Sequence, residues 1–253
     1  MSADLGCKTQ QLFHDNAATK ELAQVRGAKA TGTNMLIGTA AGAGEVPLIG
    51  RTCQTSQIYY VPIWENPAWF TPQDVGDYFV MYQTPPSETA GYESAKALFD
   101  AMGGEGKVVH IPGLATPTDA FRGGGVKRAA KEFPGIRLVT APRGDFVREK
   151  ARSVMLNMVS AHPDMKGVFA QNDSMALGVM SVLRERKMTD VKFASVDGLK
   201  EAVDEISKGG QWVASHASLA PYQAGFAAVT AFDAFNGWKP STPERMMYTG
   251  GRC

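Results

Sequence analysis

Val168-Phe169-Ala170-Gln171-Asn172-Asp173-Ser174-Met175-Ala176-Leu177-Gly178 is the stretch on which the fold reading turns. A short apolar run, Val168 to Ala170, reads as a buried strand. It meets an amide and a carboxylate, and from Met175 to Arg184 apolar residues recur at helical spacing. Asn172 or Asp173 suits the cap of that helix.

Outward from this unit the same pattern repeats. Toward the N-terminus, Tyr92, Ala95, Leu98, Phe99 and Met102 share one helical face that stops at Gly103-Gly104. Strands are predicted over 108–111 and 136–139, helices over 119–133 and along Val147, Ala151, Val154, Met155 and Met158. Toward the C-terminus follow a strand over 193–196, a helix over 200–207, a strand over 212–217 and a helix over 221–236. That last helix has Pro221 in its first turn and Gly237 past its end. Strand–helix alternation at this spacing means right-handed βαβ units and a mostly parallel sheet, and short apolar strands fit burial on both faces. Before residue 90 the expectations are strands over 8–13, 35–37, 58–64 and 78–82, and helices over 19–29 and 46–57. Pro85-Pro86 is the sharpest break and marks a domain crossing.

Composition excludes several classes. Of the 253 residues 44% are hydrophobic and 20% charged, the balance of a globular protein rather than a disordered one. Lys and Arg number 26 against 25 Asp and Glu, so no basic excess exists to neutralise a nucleic-acid backbone. No apolar run approaches the roughly 20 residues of a membrane helix. Cys7, Cys53 and Cys253 are too few and scattered for a disulfide framework or a zinc site, and His14, His110, His162 and His216 lack metal-ligand spacing. No metal or cofactor is expected. Residues 103–107 look like a phosphate loop, but Ala101 and Val108 stand where that loop needs Gly and Ser or Thr. The N-terminus as written has neither the basic nor the apolar region of a signal peptide.

The informative residues follow the strands: Trp64-Glu65-Asn66, Phe121-Arg122, Asp145-Phe146, Asn172-Asp173 and Asp197-Gly198. Ligands of doubly wound sheets bind at the strands' carboxyl ends. Carboxylates, amides and a guanidinium suit adjacent hydroxyls, and aromatic rings suit the C–H face of a sugar ring. Each residue also has an ordinary reading. Asn172 or Asp173 serves as a cap, Asp197-Gly198 as a turn, Phe146 and Trp64 as core, and Arg122 as a surface residue.

The run 168–178 resembles the type I periplasmic sugar-binding proteins, of which the ribose-binding protein is the best known. Ala161-His162-Pro163-Asp164, Val196-Asp197-Gly198 and Lys20-Glu21-Leu22-Ala23-Gln24-Val25 carry the same resemblance. It implies two α/β, doubly wound parallel-sheet lobes joined by a multi-strand hinge, a small monosaccharide or polyol held between them, and delivery to an ABC permease from the periplasm. It implies sugar contacts at Arg122, Phe146, Asn172 and Asp197, with Trp64, Glu65 and Asn66 at a further strand end and Ser218 at a loosely aligned one. The expected lobes are 1–84 with 218–240 and 85–217 with 241–253. The family's first strand and helix are expected to be missing from this chain, with the leader. The same fold serves as effector domain in lactose-repressor-type regulators, and a sugar-acting enzyme using Glu65 or Asp197 as base is a further alternative. The expectation is binding without chemistry.

Overall fold

The computed structural model describes residues 5–241 and 246–248. The chain forms two compact units. Unit 1 comprises residues 5–85, 220–241 and 246–248; unit 2 comprises residues 86–219.

Unit 2 carries a five-stranded, wholly parallel sheet. Its strands are β4 (Glu105–Ile111), β5 (Gly135–Thr140), β6 (Met165–Ala170), β7 (Lys192–Asp197) and β8 (Trp212–Ala217), in the order β5-β4-β6-β7-β8. Helices α3 (Ser87–Ala101) and α4 (Pro117–Glu132) cover one face, where Leu98, Phe99, Val126 and Ala129 pack on Val108, Phe169, Ala194 and Val196. Helices α5 (Arg148–Ala161), α6 (Asp173–Glu185) and α7 (Lys200–Ile206) cover the other, where Met155, Val179 and Ala202 meet Val109, Val168 and Phe193. Alternate residues of each strand thus go to opposite faces, and both faces are apolar because both are covered. Helices α3 and α4 touch at backbone level. A side chain on Gly91 would overlap the Arg122 carbonyl, and one on Gly125 would overlap the backbone of Glu88 and Tyr92. This close approach sets the position of Arg122.

Unit 1 has parallel pairs β1 (Met35–Gly38) with β2 (Tyr59–Pro62), and β3 (Tyr82–Thr84) with β9 (Met246–Tyr248). Bridges Tyr60↔Phe79 and Ile63↔Gln83 join the two pairs. Helices α1 (Ala18–Ala28) and α2 (Glu45–Ser56) pack Val25, Val46 and Ile49 with Tyr60 and Phe79. Helix α8 (Ala220–Phe235) packs Ala227, Ala231 and Ala234 with Val61, Ile63 and Val80.

Several expectations are corrected. Residues 8–13 form no strand. Leu12 and Phe13 lie exposed, and the Phe13 carbonyl accepts from the Gln24 side chain rather than from a ladder. The strand expected over 78–82 begins at Tyr82, with Phe79 held by a single bridge. The division between units also moves. Ser218 belongs to unit 2, because its N–H donates to the Asp197 carbonyl at 3.0 Å. Residues 246–248, expected in the second lobe, belong to unit 1 through the β3–β9 ladder. The remainder of 242–253 lies outside the described residues.

Candidate functional site

Arg122, in the second turn of α4, is 3% exposed and reaches the carboxyl edge of the sheet in unit 2. Its Nη1 donates to the Gln171 carbonyl at 2.7 Å. Its Nη2 donates to Asp197 Oδ1 at 2.9 Å and to Ser218 Oγ at 3.2 Å. The end of α4's second turn is thereby tied to the ends of β6, β7 and β8. Ser218 Oγ also donates to Asp197 Oδ1 at 3.3 Å. Of the ordinary readings, a surface Arg122 is therefore excluded.

Asn172 stands on the same edge, next to the Gln171 carbonyl that Arg122 holds. Its backbone is extended and its Oδ1 accepts from Met175 N at 2.9 Å, so it caps α6. The cap uses one lone pair of the amide oxygen and leaves the NH2 group for other work.

Phe146 follows β5 and packs beside the core of unit 2. It and Asp145 both have left-handed backbone, φ 61° and 53°. A Cβ on Gly113, just past β4, would overlap the Phe146 ring. An ion pair steadies these two loops. Arg143 Nη1 donates to Asp119 Oδ2 at 2.6 Å and to the Gly113 carbonyl at 2.7 Å, and Gly113 N donates to Asp119 Oδ1 at 2.7 Å.

Beneath Arg122 lies His110 of β4. The Gln171 amide donates to its Nε2 at 3.0 Å, and burial pushes the imidazole down to about 4, so it is neutral at pH 7.

Asp173, fully buried at the start of α6, accepts three hydrogen bonds: from Ser195 Oγ at 2.5 Å, Ser215 Oγ at 2.6 Å and Leu199 N at 2.7 Å. Burial still pushes its carboxyl up to about 6.

In unit 1, Trp64 leaves β2 with φ 66°, and Glu65 and Asn66 are 4% and 8% exposed. Trp64 N donates to the Gln83 carbonyl at 3.0 Å, which aligns the ends of β2 and β3.

Among the described residues, Arg122 Nε, Trp64 Nε1 and Asn66 Oδ1 are buried polar atoms with no protein partner. Trp64, Phe146 and Asp197 all sit at positive φ. Non-glycine residues there cost roughly 1–3 kcal/mol each and concentrate at functional sites. The structure thus brings Arg122, Asp197 and Ser218 into direct contact, puts Asn172 and Phe146 on the same edge, and leaves Trp64, Glu65 and Asn66 in the other unit. Sequence reading missed Gln171, Asp119, Arg143 and Gly113. It placed Asp173 among the strand-end polar residues, with a helix cap as its ordinary reading, and not as a buried hub. Serines near the ends of two strands facing a helix-start Asp were the available signal.

Among the described residues no group of three His, Cys, Asp or Glu side chains is placed to hold a metal, and no helix is long and apolar enough to cross a membrane.

A two-unit, doubly wound α/β protein with polar strand ends is the class these features define. Residues 2–237 match the family described as periplasmic binding protein domain, and the chain belongs to that family. It is 31% identical over 231 residues to the ribose import binding protein of Salmonella typhimurium, covering 90% of this chain and 74% of the relative. It is 27% identical over 209 residues to the D-apiose import binding protein of Paraburkholderia graminis, covering 81% of this chain and 64% of the relative. Among solved structures it resembles an ABC transporter solute binding protein from Mycobacterium smegmatis with bound glycerol. That likeness has a TM-score of 0.87 and 30% identity, covering 98% of this chain and 83% of the other.

Proposed function

We propose that this protein captures a small monosaccharide or polyol and delivers it to an ABC permease from the periplasm, without chemistry on the bound molecule. The observation that carries this reading is the Arg122–Asp197–Ser218 cluster at the carboxyl edge of the sheet, its Arg122 and Ser218 buried and its Asp197 partly open, in a chain of this family. Arg122 and Asp197 offer a donor and an acceptor side by side. Vicinal hydroxyls, each both donor and acceptor, need that pairing. The free half of the Asn172 amide adds donors, and Ser218 adds a hydroxyl. Phe146 offers a ring face for the apolar side of a sugar.

Discrimination follows from burial. A wrong epimer leaves a buried polar group unpaired, at a cost of about 1–3 kcal/mol for each neutral group. The relatives named for ribose, apiose, xylitol and allose bind pentoses, a pentitol and a hexose, so the ligand is expected to be a polyhydroxyl compound of about five or six carbons.

Native mass spectrometry after gentle purification, followed by calorimetry with D-ribose, D-apiose, D-allose, xylitol and glycerol, tests this. The expected result is a co-purified polyhydroxyl compound, or saturable binding of at least one of the five. A ligand-free spectrum with no heat from any of them would overturn it.

A further inference from the structure

The turn that carries Asp197 is held from behind by a carboxylate that no ligand would touch. By pleat alternation Asp197 should share a face with Phe193 and Ser195, on the α6 side of the sheet. Its carboxylate is instead met by Arg122 from α4, which covers the other side. The alternation breaks at Asp197, where φ is 133°, and Gly198 follows at φ 74°. A non-glycine residue in that region persists only when its surroundings hold it there.

Three hydrogen bonds hold this turn. Ser218 N donates to the Asp197 carbonyl at 3.0 Å. Gly198 N donates to Ser215 Oγ at 3.1 Å, and that hydroxyl in turn donates a hydrogen bond to Asp173 Oδ1. Leu199 N donates directly to Asp173 Oδ2. Ser195 Oγ accepts from Trp212 Nε1 at 3.0 Å and donates to Asp173 Oδ1, which fixes the carboxylate against β7 and β8. Two of the three restraints on the strained turn therefore end on Asp173.

We propose that Asp173 is a positioning residue for ligand binding: its carboxylate clamps the turn 197–199 in the conformation that aims Asp197 at Arg122 and so sets the affinity of the site. The proposal rests on the sugar-binding reading, which it deepens. An ionised carboxylate accepts from all three donors at once, whereas a protonated one, or an amide in its place, must turn a donor toward one of them. Clamping therefore belongs to the ionised form. Burial lifts this carboxyl to about 6, which places the loss of the clamp in a mildly acidic range. The charged group acting on it is Asp197 on β7, which raises it further; Lys200, the residue after Leu199, pairs instead with Asp204 at 2.5 Å. His216 of β8 lies near Glu93 of α3, on the far face of the sheet. His216 is unchanged in an Asp173 variant, so its own titration cancels in the comparison.

The test is the full chain with Asp173→Asn, and with Ser215→Ala in case the first variant fails to fold. Calorimetry with D-ribose, D-allose and xylitol is run from pH 7.5 to pH 5, and amide exchange of Gly198 and Leu199 is followed without ligand. The unsubstituted chain is expected to weaken toward pH 5. Asp173→Asn should bind about tenfold more weakly at pH 7.5, the scale of one hydrogen bond to a charged group, with a flat pH profile. In both variants the two amides should exchange faster while the β4 and β6 amides do not change. Unchanged affinity, a pH profile parallel to that of the unsubstituted chain, or unchanged exchange at Gly198 and Leu199 would overturn the proposal. If the unsubstituted chain binds no sugar, the sugar reading fails, and with it the proposed role in affinity. The exchange result then reports separately whether Asp173 clamps the turn.

Discussion

In unit 2 the strand ends are wired together by charge, whereas unit 1 packs aromatic rings together where its strands β2 and β3 begin. Arg122, Asp173 and the Asp119–Arg143 pair each tie two or more strand-end loops of unit 2. Unit 1 instead packs tilted and edge-on rings against one another. Tyr59 meets Tyr78 with centroids 4.8 Å apart, and Phe79 lies 5.1 Å from both Tyr60 and Tyr82. Buried ionic networks are costly to disturb, because removing one member strands the rest without water. Aromatic packing is less directional and loses less from a small polar change. Two units built on one plan should therefore differ in how sharply they respond to substitution.

The largest effect is expected at Arg122. Arg122→Ala leaves the Gln171 carbonyl without its side-chain donor and Asp197 with only the Ser218 hydroxyl, and should destabilise unit 2 by about 3 kcal/mol in denaturant melts, the low end of the scale for breaking a buried ion pair because Asp197 is partly open to water. A loss below about 1 kcal/mol would mean that the network is not a unit and the contrast is wrong.

Next comes pH, where two buried groups of unit 2 oppose one another. His110 titrates ordinarily at 6.5 and, folded, at about 4; it stabilises above pH 6.5, and that contribution is lost as pH falls toward 4. Asp173 moves the other way, from 3.8 to about 6; its contribution is present below pH 3.8 and lost as pH rises through 6. Each amounts to roughly 3 kcal/mol at about 1.4 kcal/mol per pKa unit, so between pH 4 and 6 they nearly cancel. Asp173→Asn should expose the histidine term, and urea melts should show stability falling more steeply on acidification than in the unsubstituted chain. His110→Gln should show the reverse. Parallel curves for the two variants would refute both assignments.

Gly113→Ala tests the aromatic position in unit 2. Its Cβ would press on the Phe146 ring, so a loss of about 1–3 kcal/mol is expected, as for overpacking, with a change in the ring's near-ultraviolet signal. An unchanged melt would show that the ring moves freely and is not fixed by that loop.

The smallest change is predicted in unit 1. Tyr82→Phe removes the hydroxyl that donates to the Phe70 carbonyl at 3.2 Å but keeps the ring against Phe79. It should cost about 1 kcal/mol. A loss as large as that for Arg122→Ala would erase the difference between the units.

Much of this architecture was legible in the residues. The strand 212–217 and the boundaries of most helices follow from apolar periodicity and from Gly and Pro stops, because those are local properties of the chain. The strand-end residues were legible too: Asp197 closes an apolar run and Asn172 directly follows one, while Phe146 and Arg122 lie in the loop or helix that comes next. The misses share a cause. Residues 8–13 have a plausible strand composition, yet no ladder receives them. Strand β9 joins β3 across more than 160 positions of sequence, and nothing in Met246–Tyr248 names its partner. Asp173 looks like any acidic residue in a first helical turn, and only the facing of Ser195 and Ser215 makes it a buried hub.

By itself the sequence determined the order of strands and helices in unit 2, the parallel sense of its sheet and which residues follow the strands at their carboxyl ends. These depend on side-chain periods of 2 and 3.6 and on short-range stops. Only the tertiary structure decided that Arg122 joins Gln171, Asp197 and Ser218, that Gly113 yields its place to Phe146, and that one carboxylate holds the turn of another. Those pairings bring together residues from different βα units. They depend on strand order and on how closely α3 approaches α4, which no local period encodes.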